Sequence, residues 1–375
     1  MTSDAEKRRL VYLCLEAPRE GQASFAHVHE IAQGLAACGW HVDIMAPNYS
    51  GNWVRPNLLV RLLDYARVQY RAVRFLKNYD ALYVRAHPLA WPTSMLARLL
   101  GLPVVQEVNG TYADLYVAYP GAKLFRAELN MLQRSQYRSA DAIIAVTQKL
   151  REWVVSETMP RPIRVEVVSN GANIDTFSPT ATSAAELPAK YVVFFGGLTR
   201  WHGTDDMSAC VFSKHWPDGV SLVVAGDGEG AATLRTIAEY QPRLLVLGRV
   251  PYKEIAGIVC GSLGGVIPIS DPNGRSSAAG LAPLKLFETL ACGVPAIVTD
   301  FPGQADLVRE HGCGLVYASG DADGLAKAVA ALESDPDAAR RMGERGRKLV
   351  EERYTWRMLA EQTHRLLAEL VAEAR

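Results

Sequence analysis

The C-terminal half of the chain contains one segment whose residue types and spacing suit a nucleoside diphosphate: Pro283, Leu284, Lys285 and Glu288. The fixed φ of proline fits the first turn of a helix, where its missing N–H loses no partner. The amides of Leu284 and Lys285 would then point out of the positive end of that helix, which favours a diphosphate. Glu288 lies three residues after Lys285 on the same helical face and could accept hydrogen bonds from a ribose diol. A surface Lys–Glu pair on an amphipathic helix is the alternative that these residues leave open.

A regular alternation of short apolar runs and helical patterns predicts the elements that position this segment. Continuous apolar runs, each followed by a helix, indicate parallel strands that are covered on both faces. Two such arrays in tandem predict an α/β fold of two doubly wound domains, with ligands beyond the carboxyl ends of the strands. The predicted strands are Val11–Leu15, Val42–Ala46, Ala81–Val84, Val104–Glu107, Ala142–Val146, Arg164–Val168, Tyr191–Phe195, Ser221–Ala225, Leu244–Leu247, Gly265–Pro268, Ala296–Thr299 and Gly314–Val316. The clearest predicted helices are Phe25–Ala37, Leu58–Leu76, Trp91–Leu100 and Tyr354–Ala374.

Charge and composition narrow the class of protein. The 375 residues include 40 basic and 40 acidic side chains, and this balance argues against a nucleic-acid binder. The charges are unevenly distributed between the two halves. Residues 1–179 carry 20 basic and 16 acidic side chains, and residues 180–375 carry 20 basic and 24 acidic side chains. The division falls at a linker-like stretch, residues 178–188. The six cysteines form no C-x-x-C pair, which predicts free thiols. With no export signal or membrane-spanning run, we expect a cytoplasmic protein.

Residues 282–297 resemble the signature helix of the family 4 retaining glycosyltransferases, which have the GT-B fold; they read Ala-Pro-Leu-Lys-Leu-Phe-Glu-Thr-Leu-Ala-Cys-Gly-Val-Pro-Ala-Ile. The resemblance implies two Rossmann-like domains whose parallel sheets face each other across a cleft. An acceptor-binding domain would comprise residues 1–179, with the C-terminal helix 358–375 packed back on it, and a nucleotide-sugar-binding domain residues 180–357. Further segments similar to the family occur in its order along the chain: Gly21–Ala46, Val168–Pro179, Phe195–Leu198, Val224–Gly228, Leu247–Pro251 and Tyr354–Trp356.

Functional residues can be carried over from the family at matching positions. The resemblance implies that Glu288 holds the ribose of a nucleotide sugar and that the backbone of Pro283–Lys285 holds its diphosphate. The backbone of Val250, in the turn that ends at Pro251, would face the nucleobase. Gly21 would let backbone approach the phosphates and the acceptor closely. An ordinary turn between strand and helix is the alternative for Gly21.

The chain departs from the family at three positions around the donor. Gly280 stands where the family often has an acid that contacts hydroxyls of the donor sugar, and Gly197 and His202 stand where it has Arg and Lys. Arg200 is then the permanent cation left in the loop from Gly196 to Gly203. We predict that it neutralises the diphosphate, assisted by His202. The alternative is a solvated loop arginine and a capping histidine.

Asn109 stands where the family has a histidine at the end of the fourth strand of the N-terminal domain. An amide at that position can hydrogen-bond the transferred sugar but cannot exchange protons. Glu107, two residues earlier, is a further candidate for contact with substrate. A carboxylate at a strand end is often simply solvated, which is the alternative for Glu107.

The resemblance also implies a retaining mechanism, which needs stabilisation of a departing diphosphate and of an oxocarbenium-like sugar. Arg200, Lys285 and a helix N-terminus suit this task without a metal or another cofactor. No His–Asp dyad that could supply the general base of an inverting enzyme is evident. Two D-x-D-like strings, at 321–323 and 335–337, both open predicted helices, where aspartate is an ordinary N-cap. We therefore predict no metal site.

Residues 53–77 form a basic amphipathic stretch. They contain six basic side chains and one acid, interleaved with Leu, Val, Tyr and Phe. Such a helix can lie on an anionic membrane surface, here the inner face of the cell membrane, where lipid-linked acceptors are found. A helix packed on the core with a solvated basic face is the alternative.

The function implied is that of a hexosyltransferase of polysaccharide or glycolipid biosynthesis. It would move a sugar from a nucleotide-diphosphate donor, by default a UDP-sugar and otherwise a GDP-sugar, to a glycan, lipid-linked or small-molecule acceptor. A non-catalytic GT-B subunit that binds a nucleotide sugar or a partner enzyme is the alternative, motivated by Gly280, Gly197 and His202. A dinucleotide-dependent oxidoreductase is disfavoured because the loop at residues 16–24 lacks the pattern G-x-G-x-x-G.

Overall fold

A computed structural model describes residues 8–19, 22–47, 56–199, 201–271 and 279–374. The chain forms two compact units, one of Met1–Ser169 with Trp356–Arg375 and one of Asn170–Thr355. The sequence placed the division after residue 179 and the returning helix from residue 358, whereas the units divide between Ser169 and Asn170 and again at Trp356. Among the described residues, no helix is long and apolar enough to span a bilayer.

The first unit is built on six parallel strands in the order β2-β1-β3-β4-β5-β6. The strands are β1 (Arg8–Cys14), β2 (Trp40–Met45), β3 (Ala81–Arg85), β4 (Val104–Val108), β5 (Ala142–Ala145) and β6 (Arg164–Val167). The helices are α1 (Ala23–Ala37), α2 (Leu58–Phe75), α3 (Trp91–Leu99), α4 (Tyr112–Ala118), α5 (Arg126–Ser139), α6 (Gln148–Thr158) and, from the end of the chain, α14 (Trp356–Glu373). Short 3₁₀ segments lie at Leu76–Asn78, Pro88–Ala90 and Pro120–Phe125.

Helices cover both faces of this first sheet. Right-handed crossovers place α1 on one face and α2, α3, α5 and α6 on the other. Val11 and Leu13 of β1 pack with Tyr65 of α2 in one buried cluster on the second face. On the first face α14 packs along α1, so closely that a side chain at Gly34 would overlap Ala360. This helix therefore completes the first unit although it follows the second unit in sequence.

The second unit repeats the plan with six parallel strands in the order β12-β11-β10-β7-β8-β9. The strands are β7 (Tyr191–Phe195), β8 (Ser221–Ala225), β9 (Leu244–Val246), β10 (Gly264–Ile267), β11 (Ala296–Thr299) and β12 (Gly314–Tyr317). The described helices are α7 (Thr204–Cys210), α8 (Ala231–Ala238), α9 (Tyr252–Cys260), α10 (Leu284–Ala291), α11 (Gln304–His311), α12 (Ala322–Ser334) and α13 (Pro336–Arg353).

Buried side chains alternate between two cores along the strands of the second unit. Val193 and Phe195 pack into one apolar cluster, whereas Val192 and Phe194 pack into another on the opposite face of β7. A strand with both faces buried reads as a continuous apolar run, which is why β7 could be predicted with its observed bounds. The prediction of an α/β protein with two doubly wound parallel sheets is confirmed. The twelve predicted strands are all present, with ends displaced by at most a few residues.

Candidate active site

Helix α10 carries the predicted donor residues of the second unit. It begins at Leu284, and Pro283 precedes it with φ −69° and ψ 138°, so the proline is the N-cap rather than part of the first turn. The first-turn amides, including those of Leu284 and Lys285, still have no carbonyl one turn earlier within the helix. Asn170 fixes the approach to the helix, since its side-chain amide donates to the Ala282 carbonyl at 2.7 Å. The predicted anion-binding end is thus held in place from the start of the second unit.

The ammonium group of Lys285 is buried without a hydrogen-bond partner among the described residues. Its Nζ lies 4.3 Å from the centre of the Phe194 ring, a cation–π contact at the end of β7. A Cβ placed on Gly196 would lie 3.5 Å from the same Nζ, so the ammonium faces the loop that follows β7. Burial lowers the pKa of Lys285 to about 7, and the nearby charge of Glu288 offsets only part of this effect. A buried ammonium without a partner makes Lys285 a candidate for binding an anion.

Glu288 is also buried, with 4% of its surface exposed. Its Oε1 accepts a hydrogen bond of 2.6 Å from the hydroxyl of Tyr252, the first residue of α9. Tyr252 follows two residues after Val250, so the predicted ribose residue and the predicted nucleobase turn are linked by one contact. Sequence reasoning missed Tyr252. The signal available was an aromatic residue with a hydroxyl directly after the turn that ends at Pro251.

The loop after β7 contains the departures from the family pattern. Gly197 is exposed there, and Arg200 lies outside the described residues, as does Gly21 in the first unit. The Nδ1 atom of His202 accepts from the Thr199 amide at 3.3 Å and lies 2.8 Å from the Thr199 hydroxyl. This contact lies within the turn from Thr199 to His202 and does not cap α7, whose N-cap is Gly203 without a side-chain hydrogen bond. The assisting role of His202 at the diphosphate stays a prediction.

A glycine-rich loop after β8 supports the loop after β7. The Leu198 amide donates to the Asp227 carbonyl at 3.0 Å, and the Gly230 amide donates to the Leu198 carbonyl at 3.1 Å. A Cβ on Gly228 would collide with the backbone of Leu198, so only glycine permits this backbone-to-backbone approach. The glycines at 226–230 thus act as packing residues for the neighbouring loop.

Gly280 lies in the left-handed region, with φ +66°. Side chains with a Cβ are strained there by roughly 1–2 kcal/mol. The family acid that is replaced at this position would therefore have to be accommodated by a different backbone. The positive φ therefore gives a local reason for glycine at this position.

Glu107 is the centre of a buried polar network at the carboxyl end of β4 in the first unit. It is 1% exposed, and both carboxylate oxygens are occupied. The solvated strand-end carboxylate considered from the sequence is therefore wrong, and direct contact with substrate would require a partner to leave. Tyr12 and Tyr83 donate to Oε2 at 2.9 and 2.8 Å, and Arg85, Asn109 and His27 contact Oε1 at 2.8, 2.6 and 3.0 Å.

Electrostatics keep this network charged. Burial alone would raise the pKa of Glu107, but His27 and Arg85 lower it further than burial raises it, to well below its usual range. Arg85 also donates to Glu16 at 3.0 Å, and its pKa is raised because the two carboxylates outweigh the effect of burial. Asn109 is half-buried, and its Nδ2 points at Glu107. Its Oδ1 is thereby oriented as the hydrogen-bond acceptor at the end of the strand.

The two D-x-D-like strings act as predicted. Asp321 accepts from the Gly324 amide at 2.8 Å and caps α12, and Asp335 accepts from the Ala338 amide at 2.8 Å and caps α13. Within the part of the chain that the structure describes, no group of three or more His, Cys, Asp and Glu side chains is placed to hold a metal ion.

Comparison with known proteins identifies the family of the chain. Residues 25–176 match the family described as Glycosyltransferase Family 4, and residues 183–349 match Glycosyl transferases group 1. The chain is 27% identical over 378 residues to an alpha-maltose-1-phosphate synthase of Mycolicibacterium smegmatis, covering 90% of this chain and 92% of the relative. It is 28% identical over 207 residues to a GDP-mannose-dependent alpha-(1-6)-phosphatidylinositol monomannoside mannosyltransferase of Mycobacterium tuberculosis, covering 52% and 54%.

A solved structure supports the fold. Anabaena HepE in complex with UDP and glucose superposes with a TM-score of 0.71 at 15% identity, covering 96% of this chain and all of that one. An identity this low shows the fold alone, whereas the two family matches together span nearly the whole chain. The chain belongs to the family 4 glycosyltransferases and has their GT-B fold.

Proposed function

We propose that this glycosyltransferase moves a hexose, with retention of configuration, from a nucleoside-diphosphate sugar to a hydroxyl group of a glycan, a lipid-linked or a small-molecule acceptor. The observation that carries the proposal is the ammonium of Lys285, buried without a partner at the first turn of α10. A group in this state destabilises the unliganded protein unless an anion pairs with it. The diphosphate of the donor supplies that anion.

The same residues suit the departure of the diphosphate. As the sugar–phosphate bond breaks, negative charge grows on the leaving oxygen. Lys285 and the free amides of the α10 N-terminus stabilise that charge, and we assign Arg200 the same role. Because these groups supply positive charge directly, we propose that transfer proceeds without a metal or another cofactor. Activity that survives treatment with a chelator would support this, and activity restored only by added metal would contradict it.

The contact between Tyr252 and Glu288 defines how the nucleoside would be held. The Glu288 carboxylate keeps one oxygen on the tyrosine hydroxyl at 2.6 Å and accepts from the ribose diol. Val250, two residues before Tyr252, would meet the base through its backbone. We propose UDP as the first donor to test, supported by the solved relative with UDP and glucose. The mannosyltransferase relative, which is GDP-mannose-dependent, makes GDP the competing choice.

A thermal-shift panel of nucleotides and nucleotide sugars tests the donor directly. A ligand at a hundred times its Kd stabilises the folded protein by about 2.7 kcal/mol, which shifts the melting temperature measurably. We expect UDP or GDP, and the corresponding nucleotide sugars, to raise the melting temperature of the wild type but not that of Glu288→Ala. Glu310→Ala, at an exposed position in the same unit, is the matched control and should respond like the wild type. A panel in which no nucleotide shifts the melting temperature would overturn the proposal.

A second measurement separates an enzyme from a non-catalytic subunit. The features that favour the subunit are Gly280, exposed Gly197, and His202 with Nδ1 engaged by Thr199. An enzyme should release nucleoside diphosphate from the stabilising nucleotide sugar, slowly to water and faster with an acceptor. Stabilisation by the sugar nucleotide with no turnover across an acceptor panel would identify a binding subunit instead.

Helix α2 supports a further proposal, that the first unit attaches to an anionic membrane surface. Leu58, Leu59 and Leu63 in its first two turns are 62%, 73% and 57% exposed. Arg71 and Arg74 further along are exposed as well, so apolar and basic side chains share the solvent-facing side. Exposed leucines next to arginines suit the boundary of headgroups and acyl chains. The part of the predicted stretch at 53–55 lies outside the described residues.

Vesicle sedimentation tests this attachment. We expect binding to vesicles that contain phosphatidylglycerol at low salt, and weaker binding in high salt. The double variant Leu59→Ser/Leu63→Ser should bind at least tenfold less, because full burial of one leucine contributes about 1.5–3 kcal/mol and about 1.4 kcal/mol corresponds to a factor of ten. Phe212→Ser, exposed in the second unit, is the control. Equal sedimentation of wild type and double variant would contradict the proposal.

A further inference from the structure

A shallow depression lies on the first unit, outside the residues assigned so far. Its volume is about 360 Å³, and it is lined by Met131, Arg134, Ser135, Arg138, Ser139 and Arg161. The first five residues lie on α5, and Arg161 lies in the turn between α6 and β6. The lining contains three guanidinium groups and no carboxylate. Such a surface offers hydrogen-bond donors and positive charge together.

Two of the arginines lie one turn apart on the same helix. Arg134 and Arg138 lie four residues apart on one helix, where like charges repel by a few tenths of a kcal/mol. Glu157, which is not part of the lining, pairs with Arg134 at 2.7 Å. Among the described residues no carboxylate pairs with Arg138 or Arg161, so the lining carries two arginines without an ion-pair partner.

Two of the guanidinium groups are held in place by other contacts. Arg134 is fixed by Glu157, and Arg138 donates to the Met159 carbonyl at 2.7 Å. A guanidinium has five N–H donors, so both groups retain donors after these contacts. The side chain of Arg161 forms no hydrogen bond or ion pair with the described residues. Ser135 accepts from the Trp91 indole at 3.2 Å, which leaves its own hydroxyl hydrogen to donate elsewhere.

The depression is separate from the Glu107 network within the same unit. Arg138 and Ser139 end α5 just before β5 begins, and Arg161 lies just before β6 begins. Asn109 follows the carboxyl end of β4, the parallel neighbour of β5. The depression therefore lies toward the amino ends of the strands, and the network lies at their carboxyl ends. A ligand there would not be the group that reacts.

We infer that this depression is a binding site for a phosphate group, as a monoester or a diester. A carboxylate has two oxygens, whereas a phosphate presents three or four, enough to meet guanidinium groups from a helix and from a separate turn. The volume exceeds that of the phosphate alone and leaves room for its substituent. Leu124 and Phe125, just before α5, are 85% and 62% exposed, which is compatible with a phospholipid headgroup as well as a soluble phosphate ester. The inference does not depend on the proposed donor or acceptor.

The test uses the full chain and two kinds of probe. Isothermal titration calorimetry with inorganic phosphate and with glycerol 3-phosphate, at low ionic strength, measures the soluble forms. Sedimentation with phosphatidylcholine vesicles, with and without phosphatidylglycerol, measures the headgroup. The variants are Arg161→Gln, at an exposed position where folding is not at stake, and Arg138→Gln, checked by its melting temperature. Arg341→Gln, exposed on α13 in the second unit, is the matched control.

We expect the loss of one arginine to weaken binding of a phosphate probe about fivefold, which corresponds to roughly 1 kcal/mol per charge. The control should change by less than twofold. Sensitivity confined to vesicles would identify a lipid headgroup, and sensitivity to glycerol 3-phosphate a soluble ester; either supports the site. The inference is overturned if no phosphate probe binds, or if both arginine variants bind all probes as the wild type does.

Discussion

Raising the pH from 7 to 9 should weaken the binding of UDP through Lys285. Burial lowers the pKa of this residue to about 7 in the unliganded protein, so half of the molecules carry the ammonium at that pH. Only the charged form pairs with the diphosphate, and a bound diphosphate raises the pKa because it favours the ammonium. The apparent Kd is the intrinsic value divided by the charged fraction. It should therefore rise about fivefold between pH 7 and pH 8, and approach a further tenfold by pH 9.

Two other ionisations have to be separated from that of Lys285. The terminal phosphate of UDP loses its last proton near pH 6, so above pH 7 the ligand no longer contributes to the slope. Glu288 is the ionisable group that acts electrostatically on Lys285, and its charge favours the ammonium. Below pH 7 the ammonium is present, and above pH 7 it is lost. UDP should therefore bind more weakly as the pH rises.

Calorimetry of UDP between pH 6.5 and pH 9, in two buffers of different ionisation enthalpy, measures both the Kd and the protons taken up. About half a proton should be taken up per UDP at pH 7, and nearly a whole one at pH 8. Lys285→Gln should bind weakly with no slope above pH 7. Lys253→Gln, at an exposed position on α9, should keep the slope of the wild type. A wild-type Kd that changes less than twofold between pH 7 and pH 9 would refute the reasoning.

The lowered pKa of Lys285 also predicts how the stability of the unliganded protein depends on pH. The unfolded chain holds the Lys285 proton up to a pKa near 10.4, whereas the folded chain releases it above about 7. The unfolded state therefore binds more protons between these values, and the contribution of Lys285 to folding becomes more favourable as the pH rises through that window. Lys285→Gln should accordingly raise the melting temperature at pH 7 while it weakens UDP binding. If the variant bound UDP poorly because it misfolded, its melting temperature would fall together with its affinity for UDP.

Three further substitutions test the contributions of Tyr252, Glu107 and Gly280. Tyr252→Phe removes the hydroxyl that donates to the buried Glu288 carboxylate at 2.6 Å. We expect UDP to bind roughly tenfold more weakly, measured by calorimetry, and the free energy of unfolding to fall by about 1–3 kcal/mol, because a buried acceptor loses its donor. Glu107→Gln breaks a fully buried ion pair and should reduce the free energy of unfolding by about 3–5 kcal/mol in urea titrations. Because the pKa of Glu107 is lowered, its stabilisation should be lost as the pH falls below about 4.3, and the deficit of the variant should shrink in acid. Gly280→Ala should reduce the free energy of unfolding by about 1–2 kcal/mol, since φ there is +66°; a neutral result would show that this loop adopts another conformation.

The fold could be predicted because its strands are buried on both faces. Tyr191–Phe195 and Ser221–Ala225 are continuous apolar runs with turn residues after them, and both were predicted with their observed bounds. Strand ends that meet solvent on one side were less certain. β1 starts at Arg8, three residues before the predicted start, because Arg8 and Arg9 pair in register with Trp40 and His41 of β2. Charged residues at the start of a strand do not signal pairing of this kind.

The site was predictable where its residues are close in sequence. Lys285 and Glu288 share one helical segment, so their spacing alone indicated a common face. The partners of Glu107 are distant, since Tyr12 lies 95 residues away and Arg85 lies 22 residues away. Tyr12 lies within an apolar run, where a tyrosine reads as core, and only the register of β1, β3 and β4 brings its hydroxyl to the carboxylate. The residue pattern within one strand does not predict hydrogen bonds between side chains on different strands.

The two buried charged residues, Glu107 in the first unit and Lys285 in the second, differ in whether the folded chain supplies them with partners. Glu107 has a donor at each available position of its carboxylate, and its pKa lies below the usual range, so the folded chain already contains everything needed to keep it ionised. The Lys285 ammonium has no hydrogen-bond partner among the described residues, and burial lowers its pKa to about 7. A folded protein that held both charges for stability alone would have paired both. We therefore expect Glu107 to position Asn109 and Lys285 to pair with an anion that arrives from solution, so that removing the first charge destabilises the chain and removing the second does not.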